Sequence, residues 1–306
     1  MWLIIFFLII SILLIYKLSI KPNYSTYVNP KGKPSENTIW TYWDQGTNKL
    51  LPLHILCIAT WKKKNPNHDI IVVDQQNIFQ YIDQKDLPVN WQIIDSAQPK
   101  SDFVRLALLE KHGGVWMDIT TICIKPLNSV FTQTKSIEGF ALKSFSRKDD
   151  LSVFESWFIT AKKSSRIIKK WKDTMIAIFG NSTSMSQVDQ SYFNDMDLQK
   201  ISRGPYLTIH RVLMKLNQND PEIKNLYYND SNILPAEDTA FLHYKTFSFD
   251  LDVNKLFEKN DSFIDMVDKS NTPIIKFISA GGELKNMDEK QLLGNKSSVI
   301  YKLFNY

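Results

Sequence analysis

The segment Ser101-Asp102-Phe103-Val104-Arg105-Leu106-Ala107-Leu108-Leu109-Glu110-Lys111-His112-Gly113-Gly114-Val115-Trp116-Met117-Asp118-Ile119-Thr120 holds a helix, a turn, a strand and a carboxylate in direct succession. Ser101 is a candidate N-cap, and Phe103, Leu106, Ala107 and Leu109 recur at helical spacing. Gly113-Gly114 can supply a left-handed C-terminal cap. Val115 to Asp118 then reads as a strand, which puts the Asp118 carboxylate at a strand's carboxyl end, where open α/β sheets place their ligands. Asp102 and Arg105 are three residues apart and share one helix face. Near a helix's amino-terminal end that face favours anionic or hydroxyl-rich ligands, although a plain surface ion pair explains the same spacing.

Working outward, Thr38 to Trp43 alternates β-branched and aromatic residues and reads as a strand ended by the turn Asp44-Gln45-Gly46. Pro52 suits a helix's first turn, Leu53 to Lys64 continues at helical spacing, and Asn65-Pro66 stops it. Asp69 to Val73 is a short apolar run, the pattern of a buried parallel strand. Strand, helix, strand is the opening of an open α/β sheet. Further on, Trp157 to Ala161 reads as a strand, Ser164 to Phe179 as a helix closed by Gly180, and Pro205 to Leu216 as another helix. Past Asn217 the periodicity weakens.

The chain has 306 residues, a hydrophobic content of 43% and a formal charge of +5, enough for one large core or two small domains. Its basic residues are interleaved with acidic ones and form no stripe that could track a phosphate backbone, which argues against nucleic-acid binding. Cys57 and Cys123 are too few for a zinc site or a disulfide framework; buried free thiols are the simpler reading, with one bridge between them still open.

Met1 to Tyr16 carries no charge, and through Ile20 the run is long enough for a membrane-spanning helix, with neither a basic start nor a small-residue cleavage pattern. An uncleaved single-pass anchor over residues 1–20 is expected, followed by a Pro-, Asn-, Ser- and Lys-rich stem over 21–36 and a folded catalytic domain over 37–306. Lys17, Lys21, Lys31 and Lys33 follow the span and place that domain in the cytoplasm. Asn-x-Ser/Thr sequons at Asn23, Asn181, Asn229, Asn260 and Asn295 point instead to a secretory lumen, so both orientations stay open.

A carboxylate after an apolar strand suits Mg²⁺ or Mn²⁺, which take oxygen ligands and need only one or two protein carboxylates when phosphate oxygens complete the shell. The combination Ser-Asp-x-x-Arg, apolar helix, Gly-Gly and aromatic strand ending in Asp resembles the capsular polysaccharide synthesis protein family. That family is a branch of the DXD-containing sugar transferases, a group that includes yeast initiating mannosyltransferases and the glucosylating domains of large clostridial toxins. Ile39 to Gly46 resembles the family's opening strand, Thr60-Trp61 with Asn65-Pro66 its first helix end, Ser156 to Ala161 a later strand, and Gly204-Pro205-Tyr206 a weaker element.

The resemblance implies an α/β fold of the GT-A type, a mixed sheet binding a nucleotide-sugar at the carboxyl ends of its strands. It implies a retaining glycosyltransferase that moves sugar from a UDP- or GDP-sugar to a glycan, polysaccharide or glycolipid acceptor. By position, Trp40 would stack on the nucleobase, Asp102 would contact ribose or sugar hydroxyls, and Arg105 would hold the sugar or phosphate. Asp118 would be the first acid of the DXD motif and the ligand of Mn²⁺ or Mg²⁺. Thr120 stands where that motif has its second Asp; a hydroxyl is the poorer metal ligand and suits a sugar hydroxyl or a metal-bound water. Asp189, Glu237 and Asp238 are candidates to complete the coordination. Of the other aromatics, Trp43, Trp61, Trp91, Trp116 and Trp157 are expected mainly in the core, and His112, His210 and His243 have no metal-binding spacing. The rival reading is a binding protein on the same scaffold, with Thr120 marking lost catalysis.

Overall fold

The computed structural model describes residues 33–147, 151–202, 204–247, 254–277 and 279–306. Five strands of a six-stranded mixed sheet come from β1 (Thr38–Tyr42), β2 (Asp69–Val73), β3 (Gly114–Met117), β5 (Ile137–Ala141) and β6 (Phe154–Ala161). Strand β7 (Ser231–Pro235) completes it in the order β2-β1-β3-β6-β5-β7. β1 pairs in parallel with β2 and β3, β6 runs antiparallel to β3 and β5, and β7 is parallel to β5. A separate antiparallel pair joins β4 (Thr121–Cys123) to β8 (Ile274–Lys276).

Parallel neighbours need crossovers, and the chain uses helices for them. Helix α1 (Pro52–Lys64) links β1 to β2, and α2 (Ala97–His112) lies between β2 and β3. Two-residue alternation then sorts the side chains. Trp40, Ile71, Val73, Trp116 and Ile159 pack with Phe103, Leu106 and Ala107 of α2 and with Ile168 and Trp171 of α3 (Arg166–Phe179). Ile39, Ile70, Val72, Val115 and Phe158 form the opposite face with Ile58 and Trp61 of α1. A third cluster joins Leu53 and Cys57 of α1 to Ile122, Ile275 and the carboxy-terminal helix Val299–Asn305. Cys57 and Cys123 are both buried and free.

The expected boundaries differ most at α2, whose N-cap is Ser96, five residues before the candidate cap Ser101. Pro99 falls in its first turn, where a missing N–H costs nothing. Asp102 and Arg105 therefore sit in the second and third turns, away from the free N–H groups of the helix start. The Pro205 segment is a 3-10 turn, Pro205–Leu207, before α4 (Thr208–Asn219). Among the described residues no helix is long and apolar enough to cross a membrane. The expected anchor over residues 1–20, and the stem as far as residue 32, lie outside the described residues.

Gly113 and Gly114 connect α2 to β3 with φ of +72° and +91°. A Cβ on Gly113 would lie 2.6 Å from the Lys163 amide nitrogen, and one on Gly114 would lie 2.6 Å from the Thr38 carbonyl oxygen. Left-handed backbone and close packing both demand glycine here. Gly114→Ala is expected to cost about 1–3 kcal/mol from the strained backbone alone, and more from the clash. Gly204→Ala, with φ of −60° and only an ordinary contact for the methyl, the Ser202 Oγ at 3.6 Å, should stay within about 0.5 kcal/mol. Urea denaturation of the two variants checks the difference.

Candidate functional site

β1 and β3 end side by side, and the residues after them open onto a cleft. Two cavities meet there, of about 240 and 370 Å³, and both are lined by Gln98, Arg105, Asp118, Tyr206 and Lys276. The smaller is walled by Tyr42, Trp43, Asp44 and Gln45 at the end of β1, with Ser101 and Thr120. The larger is walled by Glu155, Ser156 and Trp157 of β6, with Phe145, His210 and Phe241.

Asp118 is the first residue after β3, and its amide donates to the Trp157 carbonyl at 2.8 Å, which fixes the strand end. Its side chain is 31% exposed, while the cations beside it are nearly buried. Oδ1 accepts from Trp116 Nε1 at 3.1 Å and lies 3.7 Å from an Arg105 terminal nitrogen; Oδ2 lies 3.3 Å from Lys276 Nζ. Arg105 also pairs with Asp102 at 3.0 Å, donates to the Ser101 hydroxyl at 3.0 Å and to the Ser156 carbonyl, and stacks on the Trp116 ring at 4.9 Å. Asp102 accepts from the Gln98 amide with its second oxygen. Burial pushes the Asp102 carboxyl up to about 7, against the opposing pull of Arg105. Thr120 is buried; its hydroxyl donates to the Phe277 carbonyl at 3.1 Å and accepts from Lys276 Nζ at 2.8 Å.

The structure thus brings Asp102, Arg105, Asp118 and Thr120 together and leaves Trp40 out. Trp40 is completely buried, donates Nε1–H to the Gly113 carbonyl at 3.2 Å, and packs against Tyr81 and His112. Its face is spent on the core because β1 alternates, and residue 40 points to the α2 side. The aromatic groups lining the smaller cavity are Tyr42, Trp43 and Tyr206. Trp43 lies just past β1, and its buried Nε1 has no hydrogen-bond partner among the described residues.

Lys276 and Glu155 are cleft residues that the sequence reading missed. Lys276 interrupts the apolar run Ile274-Ile275-Lys276-Phe277, and Glu155 lies between Phe154 and the apolar segment from Trp157; a charge beside such segments is the available signal. Burial pushes Glu155 up to about 8, against Lys276. Burial also lowers His210 to about 4, so it is neutral near pH 7.

The donor set does not fit the expected Mn²⁺ or Mg²⁺. Each Asp118 oxygen already faces a cation, and the second motif position is a hydroxyl held by Lys276. Unit charges ~4 Å apart repel by about 4 kcal/mol at an effective dielectric near 20, so a divalent ion beside the ammonium meets about twice that. Of the acids expected to help, Asp189 caps its own turn through Ser191, and Glu237 accepts from the Lys143 and Ser144 amides. Neither of these, nor Asp238, lines either cavity. Among the described residues no three His, Cys, Asp or Glu side chains group to hold a metal.

The model of the capsular polysaccharide synthesis protein family matches residues 14–246. An O-glycosyltransferase from Phomopsis amygdali is 24% identical over 52% of this chain and 42% of its own length. The initiation-specific alpha-1,6-mannosyltransferase of Candida albicans is 30% identical over 35% of this chain and 30% of its own. The chain therefore spans under half the length of these relatives. The solved PaToxG glycosyltransferase is 17% identical over 89% of this chain and 94% of that one, at a TM-score of 0.36, too loose a likeness to carry weight.

Trp40→Phe is expected to cost about 1–3 kcal/mol of stability, from a lost hydrogen bond and a partial cavity, and to leave nucleotide affinity unchanged. On the sequence-based expectation that the cleft takes a nucleotide, Trp43→Ala should weaken the binding of UDP or GDP; urea melts with calorimetric titration of the two separate the effects. Glu155 makes a pH prediction. Its folded carboxyl titrates near 8, above the ordinary 4.5, so its contribution is full below about 4.5 and is lost as pH rises through about 8. Relative to the wild type, Glu155→Gln should therefore gain stability between pH 5 and pH 9, as measured by urea denaturation at each pH.

Proposed function

The chain belongs to the capsular polysaccharide synthesis protein family, and from that premise we propose that it is a glycosyltransferase moving sugar from a UDP- or GDP-sugar to a hydroxyl of a glycan, polysaccharide or glycolipid. The observation that carries the reading is the meeting of Arg105, Asp118 and Thr120 where two cavities join at the carboxyl ends of β1 and β3. This is where an open α/β sheet holds a nucleotide. A GT-A arrangement of donor and acceptor belongs to the same reading.

The nucleotide lies in the smaller cavity against Tyr42 and Trp43, and the sugar and acceptor share the larger one. Arg105 is held rigid by Asp102, Ser101 and the Ser156 carbonyl, so its guanidinium is oriented before the donor arrives. In the retaining reaction proposed here, the acceptor hydroxyl attacks the anomeric carbon from the leaving group's side. A bond forms from its oxygen to that carbon, the carbon–phosphate oxygen bond breaks, and the departing diphosphate takes both the electron pair and the hydroxyl proton. No side chain is then needed as base. Membrane attachment through residues 1–20 is part of the proposal and rests on the apolar sequence there.

A second reading, a glycan-binding protein without turnover, draws support from the Thr120 hydroxyl, which is engaged by both Phe277 and Lys276. Incubating the full chain in detergent with a panel of UDP- and GDP-sugars, and measuring released nucleoside diphosphate, decides between them. Release from one donor is expected, reduced by at least about 10²-fold in Asp118→Ala, with the melting transition retained. A folded chain that releases nothing from any donor would favour the binding protein.

A further inference from the structure

We infer that the Lys276 ammonium, in place of a divalent ion, neutralises the diphosphate of the nucleotide-sugar; the inference rests on the donor site proposed above. Three observations lead to it. Lys276 lines both cavities at their junction, where a diphosphate linking nucleoside to sugar must lie. Its Nζ stands 3.3 Å from Asp118 Oδ2 and 2.8 Å from Thr120 Oγ1, against the two motif positions at which a metal ion would be held. An ammonium has three N–H donors, and these contacts use two of them.

The backbone fixes this placement. Lys276 is the last residue of β8 and pairs in register with Thr121. Next to that pair, the Phe277 amide donates to the Thr120 carbonyl at 3.0 Å, and the Thr120 hydroxyl returns a bond to the Phe277 carbonyl. The side chain is 8% exposed, so its stem is packed and only the charged tip reaches the cleft. A tethered cation of this kind costs no ion-binding equilibrium and offers a hydrogen bond to the oxygen on which charge develops as the sugar leaves. Asp118 then acts as a positioning residue: it holds Lys276 on one oxygen, and faces Arg105 with the other.

The test is calorimetric binding of UDP and GDP to the full chain, in EDTA and then with excess Mn²⁺, for the wild type, Lys276→Arg and Lys276→Ala. The expected result is that one diphosphate binds the wild type in EDTA with an affinity that Mn²⁺ does not improve. Lys276→Ala weakens it about tenfold or more, the worth of one charge-assisted hydrogen bond, and Lys276→Arg falls between. Affinity for the matching uncharged nucleoside stays the same in all three, which a merely structural role of the lysine would not give. Wild-type binding that requires Mn²⁺, with Lys276→Ala behaving alike, overturns the inference and leaves the donor site standing. If neither diphosphate binds a cooperatively melting wild type under either condition, the donor site falls and the inference with it. Should Lys276→Ala fail to fold, the wild-type comparison of EDTA with Mn²⁺ still decides.

Discussion

Helix α2 passes into the central strand β3 with no loop between them, and that junction sets the geometry of everything above it. Gly113 and Gly114 make the passage in left-handed backbone, with neighbouring main chain where any Cβ would be. The Gly113 amide closes the helix on the Leu109 carbonyl, and its own carbonyl receives the Trp40 indole. Trp40 is therefore the side chain by which β1 holds the turn. With β3 fixed between β1 and β6, the depth at which Asp118 emerges is fixed as well.

The floor of the cleft is governed by the cost of buried charge. Asp102, Arg105 and Lys276 are nearly inaccessible, and each of them has a partner of opposite sign. Arg105 bridges Asp102 and Asp118 and spends its remaining donors on Ser101 and Ser156. Deleting one member of such a set strands another, which is why buried pairs matter more through what their loss leaves behind than through their own attraction. Glu155, without a comparable partner, is pushed toward its neutral form by burial. The larger cavity is thereby less anionic than its composition suggests.

The family match ends at residue 246, and the cleft is closed by a residue beyond it. β8 returns to pair with β4, the three-residue strand that follows the motif, and so carries Lys276 to Asp118 and Thr120 across more than 150 positions of sequence. The carboxy-terminal helix Val299–Asn305 packs with this pair and with α1, so the distal part of the chain buttresses the cleft floor.

Local physical chemistry made much of this legible from the chain alone. The β-branched and aromatic run at Thr38, the apolar run Asp69–Val73, the helical spacing before Gly113 and the carboxylate after Met117 each depend on neighbours a few residues away. Strand β2 has its expected bounds, and Asp118 stands at the end of β3. The helix starts ahead of the candidate cap Ser101, because Pro99 is accommodated in its first turn, where a missing N–H costs nothing. What the sequence by itself determined was the alternation of strands and helices and the clustering of Asp102, Arg105, Asp118 and Thr120, since all four lie within one helix–turn–strand unit. Only the tertiary structure decided that Trp40 serves the core while Trp43 borders the cleft, because facing depends on which side of the sheet α2 covers. It also decided that Lys276 meets Asp118, because strand pairing between segments remote in sequence leaves no mark in the local pattern of either.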